Sequence, residues 1–246
     1  MRRIAIAAAK GGTGKTTTAV SLAHGLALAG RRVLLVDCDP KRQASTYFGV
    51  PEGTGVAGLL QGLAAEAVTV RERLRVLDSG GAALAEAEIQ LAARPAAIER
   101  LRQVLAGLQD GDYVFFDCPP SLGLAHLGAL AACDEIILPV GADFLALAGA
   151  RQTLAVIRAL PQRSGTRPRL LGLLRTFCDP DAGSDASYEA ALRQEYSGQV
   201  LQTRIRTSEG LRLAPAGRHT IFEAAPLSPG ALDYALLTEE IEDLAA

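Results

Sequence analysis

Apolar and polar positions alternate along this chain in blocks. Short apolar runs at residues 4–9 (IAIAAA), 32–37 (RVLLVD), 75–79 (RVLDS), 113–117 (YVFFD) and 135–140 (EIILPV) are separated by alanine- and leucine-rich stretches with helical spacing. Runs this short, and apolar throughout rather than at every second residue, fit strands covered on both faces. The stretches between them predict helices over residues 16–29, within 49–66, over 82–107 with Pro95 starting or kinking a segment, over 121–132, and onward from about residue 145. Strands alternating with helices in this way predict an α/β fold, a mostly parallel twisted sheet inside a three-layer α-β-α arrangement. With 246 residues and no repeat or low-complexity linker, one domain spanning residues 1–246 is expected.

The first strand-to-helix turn carries the strongest chemical signal. It reads AKGGTGKTT over residues 9–17. Gly11, Gly12 and Gly14, with Thr13 among them, can bring main-chain N–H groups onto an anion without steric obstruction, and Thr16 and Thr17 open a helix whose positive end faces the same point. Only three of the 25 basic residues are lysines, and two of those three are Lys10 and Lys15. A chain that otherwise uses arginine has kept a compact ammonium where a point charge must sit among phosphate oxygens. The general phosphate-loop pattern is incomplete, because Ala9 stands where its first glycine belongs.

Two further strands end in carboxylates. Asp37 and Asp39 follow the second run, with Pro40 stiffening the turn, and Asp117 ends the run YVFFD. The carboxyl edge of a parallel sheet is where ligands bind, and acidic residues there can hold the waters of a magnesium ion or orient an attacking water.

AKGGTGKTT, VLLVDCDP (33–40) and DCPPSLG (117–123) together resemble the deviant Walker A ATPases of the ParA/MinD family, closest to the short chromosomal ParA-type partition ATPases, and the likeness runs to about residue 241. The resemblance implies a P-loop NTPase fold with ATP and Mg2+ as cofactors. It implies that residues 10–17 hold the phosphates, that Thr16, Asp37 and Asp117 serve the metal, and that Asp39 orients the attacking water. Lys10 is then the signature lysine that reaches the nucleotide of the opposite protomer. The implied cycle is a homodimer closed by ATP, DNA bound without sequence preference, and slow hydrolysis stimulated by a ParB-like activator. LPVGADFLALAG (138–149) resembles the family's segment at the dimer face. Two places depart from the family. Lys41, Arg42 and Gln43 stand where relatives commonly have glutamine, glycine and asparagine, and Arg206 replaces the usual proline near the base of the nucleotide.

Charge adds the candidate DNA contacts. The formal net charge is −2, yet no acidic residue lies between Asp143 and Asp179, while Arg151, Arg158, Arg163, Arg167, Arg169 and Arg175 do. A second group, Arg204, Arg206, Arg212 and Arg218 with His219, is opposed only by Glu209. Arginines clustered inside a mildly acidic chain fit a one-sided patch for a polyanion, and the second group is the candidate DNA surface. Arg206 is a candidate for both DNA and nucleotide.

The four cysteines form no C-x-x-C pair, which argues against iron–sulfur relatives on the same loop. No apolar tract is long enough to span a membrane, no leader precedes the first strand, and the acidic final helix lacks the basic amphipathic tail of membrane-bound relatives. A cytoplasmic, nucleoid-associated protein without a membrane partner is expected. The rival readings are an ATP-dependent metabolic enzyme on the same scaffold, such as a dethiobiotin-type synthetase, and a MinD-like or protein-cargo positioning ATPase.

Overall fold

The computed structural model describes residues 1–91, 95–109, 111–142, 144–179 and 183–244. β1 (Arg2–Ile6) runs through the glycine loop into α1 (Lys15–Leu28), and the chain returns along β2 (Val33–Asp37). α2 (Gln43–Tyr47), α3 (Gly55–Gln61) and the hairpin β3 (Val68–Arg71)–β4 (Leu74–Leu77) follow. Next come α4 (Ala82–Leu91), α5 (Pro95–Ala106), β5 (Tyr113–Asp117), α6 (Leu124–Ala132), β6 (Glu135–Gly141) and α7 (Phe144–Ser164). The last third holds β7 (Arg169–Cys178), α8 (Gly183–Glu195), β8 (Val200–Arg206), α9 (Glu209–Leu213), a 3-10 turn at Ala214–Gly217, α10 (Ile221–Ala224) and α11 (Pro229–Asp243).

The eight strands form one sheet in the order β3-β4-β2-β5-β1-β6-β7-β8, parallel throughout except for the edge strand β3. The period-2 alternation of side chains divides its core in two. Ile4, Ile6, Val33, Leu35 and Phe115 face α1 and α11, while Ala5, Leu34, Val36, Val114 and Phe116 face the layer of α3 to α6. Each large side chain fully buried in this way contributes about 1.5–3 kcal/mol of transfer free energy. The expected three-layer architecture is the observed one.

The predicted strands and helices are present with shifted ends. Residues 7–9 leave the ladder after Ile6, because the chain must begin its turn there, and the segment 82–107 divides into α4 and α5 with Pro95 opening the second helix. Strands β3, β7 and β8 had no counterpart in the hydrophobic pattern. β7 carries Arg175 inside it, nearly fully buried and ion-paired with Glu189 of α8. β8 is the far edge of the sheet, and Glu240 of α11 accepts hydrogen bonds from the main-chain N–H groups of Gln202 (2.7 Å) and Thr203 (2.9 Å). That carboxylate closes donors which an exposed edge would otherwise offer to another chain.

From β1 the chain winds one way through β2 and β4, and from β6 it winds the other way through β7 and β8. The reversal lies beside β1, so the carboxyl ends of β1, β2, β5 and β7 meet in one crevice, the usual ligand position of an open parallel sheet.

Candidate phosphate-binding site

The loop between β1 and α1 is shaped by backbone dihedrals that side chains resist. Gly12 (φ 74°) and Gly14 (φ 83°) are left-handed, and a Cβ built on Gly11 or Gly12 would meet no heavy atom within 4 Å, so the cradle is open on its outer side. The loop is tied down at both ends. The Ala9 N–H donates to Thr153 Oγ1 on α7 (2.9 Å), and Thr176 Oγ1 at the end of β7 donates to the Thr13 carbonyl (3.0 Å). Lys15, the first residue of α1, is nearly buried and its Nζ donates to the Lys10 carbonyl at 2.8 Å. Burial pulls its pKa down, and the carboxylates of Asp117 and Asp39 pull in the opposite direction.

The carboxylates converge beneath this loop. Asp37 and Asp117 are register partners on the adjacent strands β2 and β5, and neither has exposed surface. Asp37 is well supplied with donors: Oδ1 accepts from the Asp39 N–H (3.0 Å), and Oδ2 accepts from the N–H and hydroxyl of Ser45 (2.8 Å each). Asp117 has no such support, since neither of its oxygens has a hydrogen-bond partner of good geometry among the described residues. Burial and the neighbouring Asp37 push its pKa well up, with Thr16 and Lys15 countering only in part. Asp39 is 5% exposed, and its Oδ1 accepts from the Lys41 N–H at 2.9 Å.

Orphaned carboxylate oxygens facing a lysine-bearing anion cradle fit a hydrated magnesium ion. That metal takes one or two carboxylates and fills its remaining positions with water and phosphate oxygens, not with a protein cage. In keeping with this, no group of three or more His, Cys, Asp or Glu among the described residues could hold a metal alone.

Two cavities open along the loop. One of about 300 Å³ is lined by Gly11, Gly12, Lys15, Thr16, Asp39 and Lys41 among others, and a larger one of about 550 Å³ by Thr17, Thr176, Phe177, Ile205, Arg206 and Tyr234 among others. The second is predominantly apolar and has the size of a small-molecule pocket, able to take a flat ring. Thr17 and Phe177 line both, so the cavities form one trough. Phe177 holds φ at 57°, a strained value for a bulky residue, which places its ring against the loop beside Gly14.

The predicted site residues therefore fall into two sets. Residues 10–17, Asp37, Asp39 and Asp117 gather around the smaller cavity. Of the arginines, Arg206 lines the larger cavity, but its guanidinium is held by Asp233 of α11 (2.7 Å). Arg204 stands 4.0 Å from Glu189, Arg212 makes a well-exposed pair with Glu209 (3.2 Å), and Arg218 is exposed on the left-handed residue after the 3-10 turn. The first arginine group is dispersed, with Arg151 paired to Glu195, Arg169 to Glu135 and Arg175 to Glu189, while the side chain of Arg163 lies outside the described residues. Thr176, Phe177 and Tyr234 were not singled out in the sequence. The apolar run LLGLL ahead of Thr176 was the available signal for the first two, and Tyr234 had none.

A parallel sheet with a lysine-bearing glycine loop after β1, and aspartates ending β2 and β5, defines the class as a P-loop nucleotide-binding ATPase. A family model described as an AAA domain matches residues 1–170, and the chain belongs to that family. Within it, the chain is a ParA/MinD-type ATPase close to the Soj-like partition proteins. It is 40% identical over 241 residues to the chromosome-partitioning ATPase Soj of Thermus thermophilus, covering 98% of this chain and 95% of that one. Among solved structures, apo McdA of Cyanothece has the same fold, with a TM-score of 0.86 at 22% identity and full coverage of both chains. Cobyrinic acid a,c-diamide synthase from Mycobacterium smegmatis, solved with a bound ATP analog and magnesium, has a TM-score of 0.82 at 30% identity over 97% of this chain and 93% of that one.

Proposed function

We propose that this chain is a partition ATPase of the ParA type, which dimerises on ATP with magnesium, binds DNA without sequence preference, and is released when a ParB-like partner stimulates hydrolysis. The observation that carries the reading is the path from the nucleotide trough to the exposed arginines. The segment 204–218 supplies one wall of the larger cavity through Arg206 and Arg212, and at its end the Arg218 side chain lies over Gly49, just beyond α2. Arg71 of β3 fastens this junction, donating to the Arg218 carbonyl (3.1 Å) while its guanidinium sits 5.5 Å from the Phe48 ring centre. The main chain between Asp39 and Gly49 thus reaches the candidate DNA surface, and a change at the phosphates can be passed to the arginines.

When bound, ATP with magnesium supplies the phosphoryl group transferred to water. Toward it, the loop N–H groups of residues 11–17 and the Lys15 ammonium hold the phosphates, Thr16 and Asp117 with Asp37 hold the hydrated metal, and Asp39 orients a water. Lys10 adds positive charge at the partner protomer's site, where charge accumulates in the transition state. Catalysis of this kind is positioning plus electrostatics, which accounts for slow turnover until a partner completes the geometry.

The likeness to the diamide synthase favours a second reading, an ATP-dependent synthase with a small-molecule acceptor. One experiment separates the two: co-sedimentation with DNA in ATP, in ADP and without nucleotide. The partition reading requires DNA binding that depends on ATP. Binding absent in all three states, or equal in all three, overturns it.

A further inference from the structure

All three lysines of the sequence belong to the phosphate site: Lys10 and Lys15 bracket the glycine loop, and Lys41 faces the loop from the turn after Asp39. Lys41 lines the 300 Å³ cavity with Lys15, Thr16 and Asp39, and also an adjoining groove of about 320 Å³ beside Thr46 and Tyr47. Its main chain is fixed from both sides. The Lys41 N–H holds Asp39 Oδ1, and the next residue, Arg42, takes left-handed dihedrals (φ 55°, ψ 35°) secured by its Nε bond to buried Asp78 (2.8 Å). The two neighbouring cations differ in their pairing. Arg42 is neutralised by Asp78 and Glu52, whereas among the described residues no carboxylate pairs with the exposed ammonium of Lys41.

Such an ammonium on a rigid turn, facing a second ammonium across a cavity, is an arrangement completed by an anion between them. The position along the trough says which part of the anion. Thr17 and Phe177 join the cavities, and Lys41 and Asp39 line only the polar one, away from the larger apolar cavity that takes a ring. Phosphates farthest from the base therefore lie nearest to Lys41.

We propose that Lys41 is a specificity-determining residue of the nucleotide site, whose ammonium binds the terminal phosphate and makes the protein prefer a nucleoside triphosphate to a diphosphate. The inference rests on the nucleotide reading of the trough. A mere surface lysine would contribute nothing to that preference.

The test is titration calorimetry of the full chain with ATPγS and with ADP, both with magnesium, for wild type, Lys41→Gln and Lys41→Arg, over a salt series. Lys41→Gln should lose about tenfold in triphosphate affinity, the order expected for one hydrogen bond between charged groups, while its ADP affinity changes less than threefold. Its triphosphate binding should depend less on salt, and Lys41→Arg should retain most of the preference. The unfolding midpoint without nucleotide should not move, because the side chain is exposed. An unchanged triphosphate-to-diphosphate ratio in Lys41→Gln overturns the proposal, as does an equal loss for both nucleotides accompanied by a lower midpoint. If wild type binds neither nucleotide, the reading of the trough falls and the role of Lys41 falls with it. If wild type binds both and Lys41→Gln discriminates equally well, only the role of Lys41 falls.

Discussion

Asp37 and Asp117 stand side by side as register partners on β2 and β5, both without exposed surface, yet only Asp37 receives hydrogen bonds from its surroundings. Two carboxylates this close in a poorly polarisable interior repel, and the unsupported one is the costlier to keep charged. The fold therefore carries a local deficit that a cation would relieve. Asp117→Asn should raise the unfolding midpoint of the nucleotide-free protein by a few degrees, since about 1 kcal/mol moves a chain of this size by roughly 2–4 °C. The same variant should gain no added stability from magnesium with ATP. Thermal scans with ATP, in magnesium and in EDTA, decide it. A magnesium-dependent rise as large as that of wild type would exclude Asp117 from the metal site.

The two loop lysines should fail differently. Lys15 sits inside the site with its Nζ on the Lys10 carbonyl, whereas Lys10 packs against α7, so closely that a Cβ on Gly149 would come within 3.0 Å of it. That helix follows the segment whose sequence resembles the family's dimer face. Lys15→Ala should reduce ATP affinity by at least tenfold, the effect of removing a charge-assisted hydrogen bond to phosphate. Lys10→Ala should keep ATP affinity within about threefold but lose ATP-driven dimers, as read by binding of a fluorescent analogue and by light scattering. Normal dimers in Lys10→Ala would contradict action across the interface.

The left half of the sheet and the phosphate loop were legible because their chemistry is local. β1, β2 and β5 are apolar on both faces and end directly in the glycines or the aspartates, so period, length and terminal residue agree. β7 and β8 were illegible because their polar residues are neutralised from far along the chain. Arg175 is paired by Glu189, Arg169 by Glu135, and the edge amides of Gln202 and Thr203 by Glu240. Read along the sequence alone, the same arginines looked like a basic surface. Arg206 stood out as a departure from the family, but its partner Asp233 could be found only in three dimensions. Phe177 and Tyr234 give the trough its shape, which leaves no titratable signature in a sequence.

Burial also predicts an acid-sensitive element. His126 of α6 has no exposed surface, its Nδ1–H donates to the Pro119 carbonyl (2.8 Å), and its Nε2 has no partner among the described residues. Desolvation pulls its pKa down from 6.5 to about 4. The unfolded chain then takes up this proton first as pH falls, so the neutral ring costs no stability above pH 6.5 and progressively more down to pH 4. The loss by pH 4.5 should approach about 2–3 kcal/mol. His126→Gln removes the titration, and its unfolding midpoint should therefore fall less between about pH 7 and 4.5 than that of wild type. Parallel declines in the two proteins would assign the acid sensitivity elsewhere.

The arginines can be ranked by what already holds them. Arg206 is locked to Asp233, and Arg204 stands near Glu189, so neither guanidinium is at liberty without breaking an existing interaction. The pair of Arg212 and Glu209 is exposed on both sides (72% and 76%), and pairs of that kind contribute little, so Arg212 can exchange its partner for a phosphate. Arg218 lies over Gly49, is exposed, and has no ion pair among the described residues. If these two side chains meet DNA phosphates, removing one such arginine should lower the magnitude of the slope of log K against log salt by about 0.9, with no change in preference among DNA sequences. A dimer presents each residue twice, so Arg212→Ala and Arg218→Ala should each reduce the slope by up to about 1.8 per dimer. The measurement is ATP-dependent DNA binding across a salt series on two unrelated duplexes, with ATP-driven dimerisation followed in parallel. Affinity and slope unchanged in both variants, with dimers intact, would remove this face from the DNA interface. A weakening confined to one duplex would replace phosphate binding with base reading.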